Sequence, residues 1–389
     1  MKKVIILSMA TASLLLATNG DNMIGLGPES RALGGTGIAI GMGADSVFKN
    51  PAWLVDTQGL VGMFGATIFM PTINAKVGAT AGGNNTEVES SADTFLIPEI
   101  AITDHITDDL SYGFGMFGVS GMGVDYRGEA PATATANMRT NLQYMRFVPS
   151  ISYKMGDLRI GIGATISYGS LNISALDATG VQRGGGVSED FGFGFQVGLG
   201  YHISDTLNIG LYYQSEVETE YENAYDFNSD GIYDTLKLSQ PTEYGVGIAY
   251  INGDFTITAD YRKILWSEAD GYDNFGWADQ DVFAIGTAYT MGNLTLRAGY
   301  NYAESPLKDL ESLAPTTPAI QQNIFFNMLG FPAFSDTHYS LGLGYEISEK
   351  MGIDLAYVYA PDVTVTSPMG IESSNEQNSI TFAIRYKFD

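Results

Sequence analysis

From Phe191 to Ile203 the chain alternates strictly. Phe191, Phe193, Phe195, Val197, Leu199, Tyr201 and Ile203 fall on one side, and Gly192, Gly194, Gln196, Gly198, Gly200 and His202 on the other. A period of two sends successive side chains to opposite faces of a β-strand, whereas a helix needs apolar residues three and four apart. The same alternation runs through residues 158–168, 294–302, 351–359 and 380–388. Short polar connections recur at 107–109, 156–157, 204–205, 252–253, 292–293 and 348–350, several built on the Asn-Gly, Gly-Asp or Gly-Asn pairs that tight hairpins prefer. The pattern predicts strands near 60–73, 94–106, 110–120, 142–155, 158–173, 190–203, 206–218, 240–251, 255–266, 281–291, 294–303, 337–347, 351–361 and 378–388. These fourteen strands leave six short turns and seven long loops, with both chain ends on the short-turn side. An even strand number with turns sorted into short and long is what outer-membrane barrels show, and a soluble β-sandwich has no reason to sort them. The predicted fold is therefore an all-β, 14-stranded antiparallel transmembrane β-barrel.

The ends of the chain complete the picture. Lys2 and Lys3 precede a mostly apolar stretch from Val4 to Ala17, too short to span a membrane as a helix and right for the core of a signal peptide. The small residues Ala17 and Gly20 place the mature start near 18–21. Beyond this stretch no apolar run reaches the ~20 residues of a spanning helix. Residues 21–58 fit no strand pattern; they are rich in Gly, Ala and short polar residues, with short helices expected near Glu29–Leu33 and Ala44–Phe48. A barrel of this size leaves a lumen, and an N-terminal hatch lying in it is the expected place for them. The domain reading is signal peptide 1–20, hatch or plug 21–58 and barrel 59–389.

Composition narrows the function. The net charge of −25, with 19 basic residues, argues against nucleic acid. Charged residues are 16% of the chain, low against the ~25% of a soluble domain, while 47 Gly, 23 Tyr and 20 Phe suit a lipid-facing wall with aromatic girdles. The absence of cysteine excludes thiol and iron–sulfur chemistry. The expected setting is the outer membrane of a Gram-negative bacterium. The expected company there is outer-membrane lipids, lipopolysaccharide and, during biogenesis, the barrel-assembly machinery. A closed wall without free edges favours a monomer.

Four stretches carry a family resemblance. Ser30 to Gly37 forms an early glycine-rich motif, Asn50-Pro51-Ala52 a compact signature, Phe114 to Tyr126 a glycine-rich strand, and Phe331 to Tyr345 a late loop and strand. In these the chain resembles the FadL-type outer-membrane transporters of long-chain fatty acids and hydrocarbons. The resemblance implies a plugged barrel for passive uptake of hydrophobic compounds, long-chain fatty acids or aromatic and alkane hydrocarbons. It implies capture on an outer-loop groove, a lumenal pocket and a sideways exit at a kink in the third strand. Asn50, Pro51 and Ala52 match its hatch signature, and Gly118 and Gly121 are candidates for the kink, since glycine in a strand marks bulges and bends. The chain ends on Asp389, with Phe388 penultimate, where such barrels usually end on an aromatic residue.

Transport of greasy molecules needs apolar surfaces rather than a nucleophile. Ile324, Phe325, Phe326, Met328, Leu329, Phe331 and Phe334 crowd one outer loop; exposed, they would form a capture site, and turned inward, a cap over the barrel. Arg146 and Arg262 should point inward at mid-barrel and could pair with a substrate carboxylate or with wall acids such as Asp260. Arg159, Arg297, Glu346, Asp354, Arg385 and Lys387 should gather near the short-turn end and could grip the hatch. Asp226, Asn228, Asp230, Ile232 and Asp234 have the spacing of a calcium loop, with Gly231 at the turn and Lys237 where a bidentate acid is usual; an ordinary polar turn is the alternative. No cofactor is otherwise required. The three histidines lie at different strand ends, and no Gly-x-Ser-x-Gly elbow is present. His202 near Ser204 is the one hint of a lipase-like enzyme, and a structural or adhesive barrel is the other alternative; the expectation is that the protein is not an enzyme.

Overall fold

The computed structural model describes residues 18–128, 135–176, 180–184, 186–227 and 230–388. Residues 1–17, most of the stretch expected to be a signal peptide (1–20), and Asn228 lie outside the described residues. Fourteen long strands form the wall: β1 (Val61–Val77), β2 (Phe95–Thr107), β3 (Leu110–Asp125), β4 (Arg139–Met155), β5 (Leu158–Leu176), β6 (Ser188–Ser204), β7 (Leu207–Gln214), β8 (Glu243–Asn252), β9 (Phe255–Ile264), β10 (Gln280–Met291), β11 (Leu294–Ala303), β12 (Thr337–Ser348), β13 (Met351–Thr366) and β14 (Ile371–Lys387). Each pairs antiparallel with its neighbour in sequence, and β14 pairs with β1 from Ile371–Val77 to Lys387–Val61, closing the barrel. Closure is the one way for a sheet to satisfy its backbone in lipid.

The alternation resolves as expected. On β6, Phe191, Phe193 and Phe195 are exposed on the outer surface, while Gly192, Gln196, Gly198 and Gly200 are buried inside. One connection differs from its expected length. β13 and β14 run on to Thr366 and back from Ile371, so the seventh outer loop is a tight turn at 367–370. Its residues read as loop because Ser373, Asn375 and Gln377 are polar, but they face inward, buried. A register shift between Ala360 and Val363 absorbs Pro361 and Asp362. Residues 318–329, which the strand pattern leaves as loop, form a helix, α3 (Pro318–Leu329), with Pro318 in its first turn and the Thr317 side chain accepting from Ile320 N–H.

Residues 18–58 lie against the inner wall. They include α1 (Pro28–Ala32), α2 (Ser46–Lys49) and a 3₁₀ turn at Pro51–Asp56. α1 contacts β11 to β14, and the 3₁₀ turn contacts β3 to β6. The inward glycines of the wall are where this segment comes closest. A Cβ on Gly198 would collide with the Asn50 side chain, on Gly200 with the Trp53 ring, on Gly161 with the Pro51–Ala52 backbone, and on Gly342 with Ala32. Polar bonds fix the register. Asp260 Oδ2 accepts the N–H groups of Gly37 (2.8 Å) and Ile38 (3.0 Å). Asn50 Nδ2 donates to the carbonyls of Ile38 (2.7 Å), Leu199 (3.0 Å) and Leu211 (3.3 Å), while its Oδ1 accepts from Ala52 N–H (3.0 Å). Ser152 Oγ donates to the Ala52 carbonyl at 2.6 Å. At the short-turn end, Arg159 holds Asp56 at 3.1 Å, and Arg297 bridges Glu29 and Asp354.

Replacing Asn50 by Ala removes the cap and strands buried wall carbonyls. It should lower stability by about 1–3 kcal/mol and speed trypsin cleavage within residues 31–49, while the heat-modifiable gel migration of the closed barrel persists. Cleavage at the wild-type rate would show that Asn50 does not anchor the segment.

Candidate functional site: a window in the wall

At one place the ladder between adjacent strands stops. β2 and β3 pair from Thr107–Leu110 up to Glu99–Phe117, and no further. Beyond that point Phe95–Pro98 stay paired with β1, and Gly118–Asp125 with β4. The register of β3 against β4 slips between Gly118 and Ser120, leaving Val119 as an extra, bulged residue. A bulge bends its strand away from its neighbour, and Pro98 has no N–H to offer a ladder. The gap closes again at the outer end, where Ser91 N–H donates to the Asp125 carbonyl (2.9 Å) and Asp125 N–H to Ser90 Oγ (2.9 Å). The result is a bounded window.

The N-terminal segment covers the window from inside. Asn22 pairs with Ser120, and Gly121 N–H donates to the Asp21 carbonyl at 3.2 Å. Between segment and window lies a cavity of about 160 Å³. It is bordered by Leu96, which is 73% exposed on the outer surface, and by Asp21, which is wholly buried in the lumen; the cavity thus joins the two sides of the wall. Phe69, Ile97, Met122 and Leu142 make most of its walls apolar. Met122 also borders two smaller voids. One of about 10 Å³ leads to Phe275, Trp277 and Phe331 in the outer cluster, and one of about 20 Å³ leads to Pro332 and Ala333.

The candidates from sequence fall as follows. Gly118 and Gly121 flank the bulge; the shift itself is at Val119. Ile97 packs so tightly over Gly118 that a Cβ there would collide, and a Cβ on Gly121 would meet the Leu142 carbonyl at 3.0 Å. Phe326, Met328, Leu329, Phe331 and Phe334 are buried and Phe325 partly so, on α3 and the turn after it, in one apolar cluster with Tyr225, Trp266 and Trp277. In this conformation they cap the outer mouth. Thr140 Oγ1 and Asn375 Nδ2 hold that turn through the carbonyls of Gly330 and Pro332, each at 2.6 Å. Arg262 is held by Glu243 at 3.1 Å and donates to the Ile24 carbonyl. Arg146 donates to Gln214 and, at 3.5 Å, to Gln240. Neither arginine borders the cavity. His202 bonds Asn208 (2.6 Å) and lies 3.5 Å from Asp56, while Ser204 faces Thr206, so the two form no nucleophile–base pair.

The calcium-spaced residues join the two strands of a hairpin, Glu220–Tyr225 and Asp234–Lys237, in the loop after β7. Asp226 accepts from the N–H groups of Asp230 (3.1 Å) and Gly231 (2.9 Å), and Asp234 from that of Phe227 (3.0 Å). Among the described residues no three His, Cys, Asp or Glu converge on one point as a metal site.

A family model, described as outer membrane protein transport protein (OMPP1/FadL/TodX), matches the chain over residues 6–387. The chain belongs to this family. Its curated relatives include the long-chain fatty acid transport protein of Escherichia coli O6:H1, 23% identical with 87% of this chain and 86% of that one covered. They also include outer membrane protein P1 of Haemophilus influenzae, 24% identical over 43% of this chain and 38% of that one. Among solved structures, a Pseudomonas aeruginosa FadL homologue superposes with a TM-score of 0.74 at 15% identity, covering 95% of this chain and all of that one. The Pseudomonas putida toluene transporter TodX superposes with a TM-score of 0.72 at 20% identity, with 95% of this chain and 100% of that one covered. The FadL/TodX family places the protein in the outer membrane. The window residues Pro98, Val119, Met122 and Asp21 were not among those singled out from sequence. A proline inside a strand pattern was the available signal; Asp21, in the segment without periodicity, offered none.

Burial pushes the Asp21 carboxyl up to about 6, against the hydrogen bonds it accepts from Tyr272 and Gln240. An acid whose pKa is raised on folding favours the folded segment below its unfolded value, and that contribution is lost as pH rises through about 6. Hydrogen exchange of residues 18–23, corrected for intrinsic rates, should therefore be slower below this point than above it. Asp21→Asn should flatten the difference; a difference of equal size in that variant would assign it to another group.

Proposed function

We propose that the protein takes up hydrophobic compounds passively across the outer membrane. Substrate enters past the apolar outer cluster, passes Met122 into the cavity, and leaves sideways into the membrane through the window between β2 and β3. The observation that carries this reading is the cavity at the interrupted ladder, bordered at once by lumenal and lipid-facing side chains. An apolar molecule gains little by entering the periplasm and much by entering lipid, so a lateral exit suits its chemistry. The residues 21–58 act as the hatch, with Asn50, Pro51 and Ala52 as its anchor, and make an axial path the harder one. The buried aromatic residues of α3 serve as a capture site once that cap loosens, which fits their density and their direct continuity with the void at Phe331.

The printed functions of the relatives, long-chain fatty acid transport and toluene transport, support the class. Size points within it: about 160 Å³ is close to the roughly 150 Å³ apolar cavities that accept benzene. A monoaromatic ring fits the cavity whole, whereas a long acyl chain fits only in part.

Filling the window tests the route. Gly118→Val with Gly121→Val should cut uptake of labelled toluene by on the order of tenfold or more, as expected when a well-packed passage is blocked, with the barrel assembled normally. Full uptake by the variant would exclude the window as the exit. A separate proposal concerns the turn at 226–234, where three acidic residues close one turn outside the wall. Calcium at about 1 mM, the range of weak extracellular sites, should slow proteolysis within residues 226–237. Equal cleavage with and without calcium would leave the turn a purely polar one.

A further inference from the structure

The charge of the cavity is as informative as its size. Among the described residues that border it, Asp21 is the one acidic or basic side chain. It is wholly buried. Its Oδ2 accepts from the Tyr272 hydroxyl and, at 3.4 Å, from Gln240 Nε2, while its Oδ1 accepts no bond among the described residues. Among the described residues no cationic side chain is bonded to it. Arg262 is held by Glu243, and Arg146 reaches Asp21 only through Gln240, whose Oε1 takes Arg146 Nη2 at 3.5 Å. A carboxylate brought into the cavity would meet the acid before it met the guanidinium, in surroundings that screen poorly.

We propose that Asp21 is a specificity-determining residue, which admits uncharged apolar compounds of ring size to the cavity and turns away their carboxylate analogues. This role presupposes that the cavity lies on the transport route. Asp21 then acts in two ways. It keeps a negative charge at the cavity wall, and it stands between the cavity and Arg146, hiding the nearest buried cation from an entering anion.

Two probes that share a ring but differ in charge test this: toluene and 3-phenylpropanoate, each labelled, offered at neutral pH to cells carrying the full protein. The wild type should take up toluene and largely exclude the carboxylate. Asp21→Asn keeps the shape and an oxygen for Tyr272 and Gln240. It should raise the ratio of phenylpropanoate to toluene uptake by roughly tenfold or more, as removal of a close, poorly screened like charge would. Asp21→Glu should keep the ratio low, and should Asp21→Asn fail to assemble, as judged by heat-modifiable migration, Asp21→Ser removes the same charge. An unchanged ratio in the neutral variant with toluene uptake intact overturns the role of Asp21, as does equal uptake of both probes by the wild type. Absence of toluene uptake by an assembled wild type overturns the transport route itself.

Discussion

A β-wall in lipid must satisfy every backbone N–H and C=O from within. Most of this barrel does so by pairing each strand with its two neighbours in sequence, and the exception defines the molecule. Where β2 and β3 part, the edge of β3 would present unpaired groups to hydrocarbon. Asp21 and Asn22 supply the missing partner from inside, and Ser90 and Ser91 from the outer end. The N-terminal segment is thus a short surrogate strand as well as a filling for the lumen. A gap can persist there because the cost of the broken ladder is offset on the lumenal side.

That dependence explains why the lumenal segment is tied so firmly elsewhere. Asn50 ties it to the carbonyls of β6 and β7, Asp260 to β9, and Ser152 to β4. The wall meets it with glycines, because so close an approach, to backbone at Gly161 and to the Asn50 and Trp53 side chains at Gly198 and Gly200, leaves no room for a Cβ. At the short-turn end, burial alone would raise the pKa of Glu29, yet Arg297 and Arg385 hold it lowered; the ion pairs there keep a charged, closed base. At the window its backbone contacts with β3 are one strand bridge and one hydrogen bond, from Gly121 to Asp21.

The barrel was legible because lipid enforces it. An outward face that must be apolar and an inward face that need not be produce alternation such as Phe191 to Ile203, and turns of two residues fix the topology. The alternation fails at Pro361 to Gln377, above the lipid, where polar inward positions and a bulge make strand look like loop. The motif Asn50-Pro51-Ala52 stood out only by resemblance, since Asn50 bonds carbonyls distant in sequence. The window was half legible. Glycines marked the bend, but the missing ladder depends on Pro98, some twenty positions away from the bulge at Val119, and pairing that does not occur leaves no periodic trace. Arg146 and Arg262 were identified as inward-facing, but their partners are set by the closed barrel: Gln214 and Gln240 reach Arg146 from strands and loops that are not its neighbours, and Glu243 reaches Arg262 from the adjacent strand.

The segment that seals the window also brings to its cavity the one carboxylate among the described residues that border it, and this links position to chemistry. The Asp21 backbone carbonyl takes the Gly121 N–H, so the main chain at this residue cannot leave the cavity wall without uncovering the β3 edge. A residue fixed for a backbone reason therefore sets the electrostatics of the passage. Apolar side chains make a passage permissive, because dispersion and hydrophobic burial scarcely distinguish one greasy molecule from another. A buried charge is discriminating, because its interaction with a second charge grows as water is excluded. The cavity behind the window combines both properties within about 160 Å³: walls that accept a ring without regard to its substituents, and a single acid that registers whether one of them is charged.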